Sequence, residues 1–374
     1  MNGTRVGASA FAWAAAVTLL VFTSTVWADP SYVAVDLTPS GFIYAEGIGI
    51  GGGQQVGAGG DPSMGSNPQH GVNYHALLWT GTAANYVDLN PAGWSGSEAD
   101  GTDGVRQVGR VYGSGEQHAF LWNGTAANAV DLHPSGFAWS VANGMTSTHQ
   151  FGQGQSNADN ATHALLWTGS ASSYVDMNPS GFAYSRINDM DGTQLVGSGY
   201  GSPTGNNEHA LIWASTASTY RDLNPSGFSS SQAYSMNDTQ QVGQGLPQGG
   251  SHNHALLWSG SPTSYVDLNP TSFISSVASD MNATQQVGWG VGPDGYTHAL
   301  LWKGTADSYV DLNQFLPSGY PNAVAKGIDS DGNIVGWVYD TIDHEHAFLL
   351  TPVPEPVTLS LLALGGLALL RRRT

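Results

Sequence analysis

A chain of 374 residues with no cysteine, 50 glycines and a formal charge of −18 excludes disulfide stapling and thiolate metal sites. Only 10% of its residues are charged, and Gly, Ser, Thr and Asn carry most of the polarity, so it is not a charged, disordered chain. The acidic balance excludes nucleic acid as a partner and disfavours anionic lipid.

Residues 1–28 read as a secretory signal peptide. Arg5 supplies the positive start, residues 8–22 the apolar run, and Val26-Trp27-Ala28 the small-residue cleavage site. The run is short for a membrane span, so cleavage before Asp29 is expected.

Residues 29–353 are one repeat array. A His-Ala-aliphatic pentad ending mostly in Leu-Trp begins at His75, His118, His163, His209, His254, His298 and His346, with gaps of 43 to 48 residues. Six copies close on a tryptophan: Trp79, Trp122, Trp167, Trp213, Trp258 and Trp302. A second element, typified by Tyr265-Val-Asp-Leu-Asn269, places an aspartate at Asp36, Asp88, Asp131, Asp176, Asp222, Asp267 and Asp311. A third, typified by Gln286-Val-Gly288, places a glycine at Gly57, Gly109, Gly152, Gly197, Gly243, Gly288 and Gly336. The pentad alternates like a strand with apolar groups on both faces. Tyr-Val-Asp-Leu, the Ser-Met-Asn run before Gln241 and the Gln-Val-Gly segment are three further short strands, separated by Ser-Gly, Asn-Pro-Ser-Gly and Asp-Gly turns. Four strands in about 45 residues, seven times over, predict an all-β, seven-bladed β-propeller. The array opens in mid-unit at Tyr32 and closes on the first strand of a unit at His346. The last blade is therefore expected to join strands from the two ends, leaving no long sheet edge open. A Gly-rich excursion over residues 51–73 is the longest departure from the unit and is expected to form a surface loop.

Residues 354–374 differ in kind. Pro354-Glu355-Pro356 is followed by an apolar run over residues 357–370 and by Arg371, Arg372 and Arg373. A helix of about fourteen residues is roughly 21 Å long, short of a ~30 Å hydrocarbon core, and the three arginines favour the cytoplasmic side. This tail resembles the PEP-CTERM sorting signal of Gram-negative bacteria. The resemblance implies transient membrane association, recognition by an exosortase-type protease, and delivery to the cell surface or extracellular matrix, often beside exopolysaccharide. The repeats resemble the HAF repeat extracellular proteins. His118-Ala-Phe-Leu-Trp122 and His346-Ala-Phe-Leu-Leu350 match the His-Ala-Phe pentad directly, and the other five copies read His-Ala-Leu. That resemblance implies an extracellular repeat protein and no activity. With both tags set aside, 6 basic and 27 acidic residues remain, a net of −21.

Residues able to carry chemistry are few. The repeated His, Trp and Asp are analogous to the polar tetrads of WD-repeat propellers, and seven copies of one triplet indicate a packing solution. Asp329-Ser-Asp331-Gly-Asn333 resembles the start of a calcium loop, and Asp189-Met-Asp191-Gly does so more weakly; neither continues as an EF-hand, and both fit hairpin turns. His252-x-His254 and His344-x-His346 can each set two imidazoles on one strand face, but one of each pair belongs to the repeat. No nucleophile elbow, phosphate loop or zinc-protease helix occurs. Glu46, Glu98, Glu116, Glu208 and Glu345 are scattered over different blades. Trp94, Trp139, Trp289 and Trp337 lie outside the pentads. Trp94, Trp139, Phe137, Phe182, Phe228 and Phe273 follow the Asn-Pro-type turns at similar phase, which suits either space-filling or sugar stacking at one rim. The expected protein is thus non-enzymatic, without catalytic, cofactor or metal residues. Its expected role is structural or binding, with exopolysaccharide or a surface protein as partner. The alternatives are a polysaccharide-acting enzyme and a protein-binding scaffold.

Overall fold

The computed structural model describes residues 31–60, 74–113, 115–214, 219–342 and 344–354. The leader, residues 61–73 of the Gly-rich excursion and the tail from Glu355, with Pro356 and its three arginines, lie outside them. Among the described residues every regular element is a strand or a short 3-10 turn, and no helix is long and apolar enough to cross a membrane.

Blade five shows how one repeat folds. Its inner strand Phe228–Met236 pairs antiparallel with Gln241–Pro247, which pairs with His254–Trp258, which pairs with Tyr265–Asp267. The pentad is the third strand of its blade, covered on both faces, and Ala255 through Trp258 are all buried. The other inner strands are Tyr44–Gly51, Gly96–Thr102, Phe137–Met145, Phe182–Asp191, Ser275–Met281 and Asn322–Ile328. Each packs against the next, and the seventh packs against the first, so they line a closed ring.

The ring is closed by the chain ends. The N-terminal strand Tyr32–Asp36 pairs antiparallel with the C-terminal strand Glu345–Pro352, Tyr32 opposite Pro352 and Asp36 opposite Phe348. It is the outermost strand of blade seven, and it covers an edge that would otherwise be free to recruit another chain. The seven-bladed architecture expected from the repeats is the one observed.

The core is seven seams between blades. At one of them Val196, Ala210, Ile212 and Leu223 of blade four meet Ala233, Met236, Leu256 and Trp258 of blade five. All six pentad tryptophans have 0% exposure. In blade seven Leu350 takes the tryptophan position and is equally buried. Truncating an aromatic in such a seam to Ala typically costs about 3–5 kcal/mol, so this repeated side chain sets the blade spacing.

A polar chain crosses the same seams. His254 Nδ1 pairs with Asp267 Oδ2 at 2.7 Å, and Asp267 Oδ1 accepts the Asn269 N–H at 2.9 Å. Asn269 Oδ1 accepts the hydroxyl of buried Ser276, on the inner strand of blade six, at 2.6 Å. Ser276 Oγ in turn accepts the Ala255 N–H at 3.0 Å. The His–Asp pair recurs at 2.6–2.8 Å for His75–Asp88, His118–Asp131, His163–Asp176, His209–Asp222 and His298–Asp311. The serine recurs as Ser97, Ser140, Ser185 and Ser231. The analogy with WD tetrads fails at one member. The indole Nε1 of Trp258, like that of the other five, has no hydrogen-bond partner; the fourth polar position belongs to Asn269 and Ser276. Asp267→Ala removes both the imidazole's partner and the turn cap, and is expected to cost about 1–2 kcal/mol. His254→Ala should lower the melting temperature less. Unchanged melting in both variants would remove the clamp from the account of stability.

Candidate functional site: a polar channel

The third repeat element explains how the channel is lined. Each inner strand has a register break opposite its Gln-Val-Gly-type strand. The extra residues are Ile48, Asp100, Asn143, Asn188, Tyr234, Ser279 and Lys326. A bulge re-aims a side chain, and all seven of these line one cavity of about 780 Å³. The glycine opposite each bulge is obligatory. A Cβ on Gly243 would lie 1.9 Å from the Gln232 carbonyl oxygen, and the six equivalents would meet theirs at 1.9–2.1 Å.

The ring has a firmly bonded side and a charged side. Asn143 and Asn188 donate to the Ile187 and Ala233 carbonyls of the following blades at 2.8 and 2.7 Å. Next to the ring, Asp189 Oδ2 accepts the Met236 N–H and Asp280 Oδ2 the Ile328 N–H, each at 2.8 Å. Burial pushes the Asp280 carboxyl up to about 7 and raises Asp189 too. Gln244 donates to the Tyr234 hydroxyl at 2.8 Å, and Gln232 donates to Glu208 at 2.5 Å. The Arg186 guanidinium lies 5.9 Å from the Tyr234 ring centroid.

On the other side, blades seven, one and two converge, and Glu46, Glu98, Asp100 and Glu345 gather with Arg110 and Lys326. Arg110 forms an ion pair with Glu98 and reaches Asp100 Oδ1 at 3.5 Å, while the Tyr112 hydroxyl lies 3.3 Å from Glu98 Oε2. Burial raises the Glu98 carboxyl, but the charge and hydrogen bonds of Arg110 outweigh it and hold Glu98 below its usual range. Burial pushes Glu46 up to about 8, with the Glu98 and Glu345 charges adding to it. Burial likewise pushes Asp100 up to about 8 against the pull of Arg110, and its Oδ2 is buried without a hydrogen-bond partner. Burial takes Glu345 up to about 7. One carboxyl pushed below its usual range beside others pushed above it is an arrangement common at functional sites.

Three glutamates that look scattered in the sequence are therefore brought together, because blades one and seven are neighbours only once the ring closes. The sequence does hold a signal for the ring. Between a Gly or Ala of each inner strand (Ile187 in blade four) and the Gly, Asp or Ser that follows, one position differs in almost every repeat: Ile48, Asp100, Asn143, Asn188, Tyr234, Ser279, Lys326.

The other candidates fall elsewhere. The seven pentad histidines stand at the start of third strands, away from the channel lining. Asp329 Oδ1 accepts the N–H groups of Asp331 and Asn333, both at 2.9 Å, in a turn completed by Gly332 at φ +83°. Phe137, Phe182, Phe228 and Phe273 pack edge-on against Tyr174, Tyr220, Tyr265 and Tyr309. Trp94 lies against His118 and Phe120, and Trp337 against Tyr339. The Trp139 indole donates to Gln155, whereas Trp289 faces the channel.

No family model matches the chain, and no curated protein does. Solved propellers do. The β-propeller domain of the Trilobed protease from Pyrococcus furiosus is similar over 86% of this chain and 97% of its own, with TM-score 0.54 and 9% identity. Puromycin hydrolase is similar over 80% of this chain and 50% of its own, with TM-score 0.57 and 12% identity. The acylaminoacyl peptidase of Pyrococcus horikoshii is similar over 88% and 53%, with TM-score 0.52 and 9% identity. The chain thus spans about half the length of the latter two. The first is described as an open velcro; here the terminal strands are hydrogen-bonded to each other. These neighbours overturn the expectation of a non-enzymatic chain. The fold behind that expectation is shared with a protease, a hydrolase and a peptidase. At 9–12% identity the likeness is of fold alone.

Proposed function

We propose that this chain is a propeller delivered to the cell surface or extracellular matrix, where its central channel holds a hydroxyl-rich ligand, a segment of exopolysaccharide. The observation that carries the binding reading is the bulge ring. The His–Asp clamp and the Gln-Val-Gly-type glycine recur from blade to blade, whereas the ring presents a carboxyl, an ammonium, a phenol, a hydroxyl, amides and one aliphatic side chain to one cavity of about 780 Å³. That volume suits a small organic ligand. Such groups satisfy sugar hydroxyls, and Tyr234 and Trp289 add aromatic faces to the lining. The net charge of −21 over residues 29–353 favours a neutral or amino-sugar polymer over an anionic one. Delivery rests on the leader over residues 1–28, on Pro354-Glu355-Pro356 with its arginine end, and on the resemblance of that tail to exosortase substrates.

Residues 29–353, which contain all seven blades, should be retained on exopolysaccharide from the producing organism. Asp100→Asn and Lys326→Met should each weaken retention about tenfold under conditions where thermal melts show the variant folded. No retention would overturn the reading and turn the search to protein partners at the rims. A second reading has its own observation: protonated Asp100 faces the cavity two residues from ionised Glu98, an acid and a base on one strand. Reducing ends released by the parent chain and lost in Asp100→Asn would select that reading.

A further inference from the structure

The geometry points to a zinc site at the rim of blade seven, built from Asp340, His344 and His346, with Asp36 behind it. Among the described residues these three bring one carboxylate oxygen and two imidazole nitrogens within 4.8 Å of one another. Asp340 Oδ2 lies 3.6 Å from His344 Nδ1 and 3.7 Å from His346 Nε2. Donors held at about 2.0–2.2 Å around a tetrahedral zinc ion are roughly 3.3–3.6 Å apart, so the carboxylate stands within a few tenths of an ångström of that spacing from each imidazole.

In blades three and six a loop carboxylate also reaches the repeat histidine. Asp159 lies 3.1 Å from His163 Nε2 and Asp294 3.2 Å from His298 Nε2, which are direct hydrogen bonds. In blade seven the carboxylate stands back, and a second histidine, His344, stands beside it. The carboxylate is pre-set. Its Oδ1 accepts the N–H groups of Ile342 and His344 at 2.8 and 2.9 Å, which leaves Oδ2 turned to the imidazoles.

A second, independent observation lies on the far side of the ring of His346. The repeat His–Asp pair is closed at 2.6–2.8 Å in six blades. In blade seven His346 Nδ1 stands 3.5 Å from Asp36 Oδ2 and is buried without a hydrogen-bond partner. Metal on Nε2 fixes the proton on Nδ1 and aims it at Asp36, the carboxylate–histidine–metal arrangement that orients such ligands. The repeat thus supplies the outer support of the site, and the irregular loop supplies the rest. Two imidazoles and one carboxylate select zinc over calcium or magnesium. Three protein ligands leave one position open to water or a ligand group.

The position gives the ion a role. Asp36 lies on the N-terminal strand and His346 on the C-terminal strand, and those strands pair to close the ring. Zinc bound there clamps the C-terminal hairpin and, through the His346–Asp36 pair, steadies the closure; it stabilises the folded chain in proportion to its occupancy.

The test uses the full chain stripped with a chelator. One equivalent of zinc chloride should bind, measured by competition with a chromophoric chelator, and saturating zinc should raise the melting temperature by several degrees. Calcium and magnesium should not. His344→Ala, outside the repeated clamp, should melt like the parent without zinc and lose the zinc-dependent rise. Asp36→Asn should weaken zinc affinity about tenfold or more. Absence of a zinc-dependent rise in the parent, binding unaffected in His344→Ala, or an equal response to calcium would each overturn the site.

Discussion

Gly243→Ala is expected to cost about 3 kcal/mol or more, lowering the melting temperature by roughly 4–6 °C. The added methyl would lie 1.9 Å from the Gln232 carbonyl oxygen and 2.9 Å from the Ala233 Cα. Both are backbone atoms of the inner strand, so neither can swing aside as a side chain would. Relief requires moving the inner strand, which is packed between its neighbours in the ring. Gly304→Ala is the control. Gly304 has φ +84°, a conformation that disfavours any side chain, but nothing lies within 4 Å of its would-be Cβ. Its cost is expected to be only about 1 kcal/mol, from backbone strain alone. Equal losses in thermal melts of the two variants would mean that the blade relaxes around the bulge and that the glycine is not what permits it.

That glycine shows how far the sequence carries. Its seven-fold recurrence is plain and reads as a strand or turn device, which is enough to count blades. What it does not reveal is that each copy sits under a carbonyl displaced by an extra residue on the partner strand. The bulge is a relation between two strands, and it becomes visible only when Ala233 is seen opposite Gly243 and Ser235 opposite Val242. Tyr234 is the residue left over. The buried clamp was half legible in the same way. His254 and Asp267 recur conspicuously, but Ser276 is one serine among many until it is found accepting the Ala255 N–H across a blade seam. Gln241 is similar. It is buried, and its Oε1 accepts the Gly260 N–H at 2.9 Å, capping the turn that follows the tryptophan. Proximity between the ends was legible from the split unit, and from it the pairing of Tyr32–Asp36 with Glu345–Pro352. The charged cluster was not, because Glu46 and Glu345 stand far apart in sequence, and only ring closure makes them neighbours.

That cluster should govern the pH dependence of stability, and the direction is opposite to the usual one for acidic residues. Glu46 and Asp100 are pushed up to about 8, and Glu345 and Asp280 to about 7, burial being the first cause in each. In the unfolded chain these groups titrate near 4. Between about pH 4.5 and 8 the folded chain therefore binds more protons than the unfolded one, and stability falls as pH rises through that window. His298, raised by Asp311 and Asp294 despite its burial, acts in the same direction above pH 6.5. His133, lowered by burial and by His118, opposes it with a single group. Glu98 and Asp103, net lowered although burial raises both, act below about pH 4 and leave the window to the raised acids. Because Glu46 and Asp100 share one cluster around Glu98, their titrations are coupled, and the loss between pH 5 and 8.5 is expected to total a few kcal/mol. Melting should be highest near pH 5 and fall by roughly 3–6 °C at pH 8.5. Glu46→Gln keeps the shape of the protonated side chain and cannot ionise. It should match the parent near pH 5, exceed it at pH 8.5 and flatten the slope between. Melting that rises with pH across this range, or a Glu46→Gln slope equal to the parent's, would mean that the cluster is hydrated and ionised in the folded ring. Ionisation also reaches the ligand. Asp100 lines the channel, so the pH that loosens the ring turns the donor on its wall into a bare anion. Retention of a sugar polymer that depends on that donor should weaken over the same interval in which melting falls.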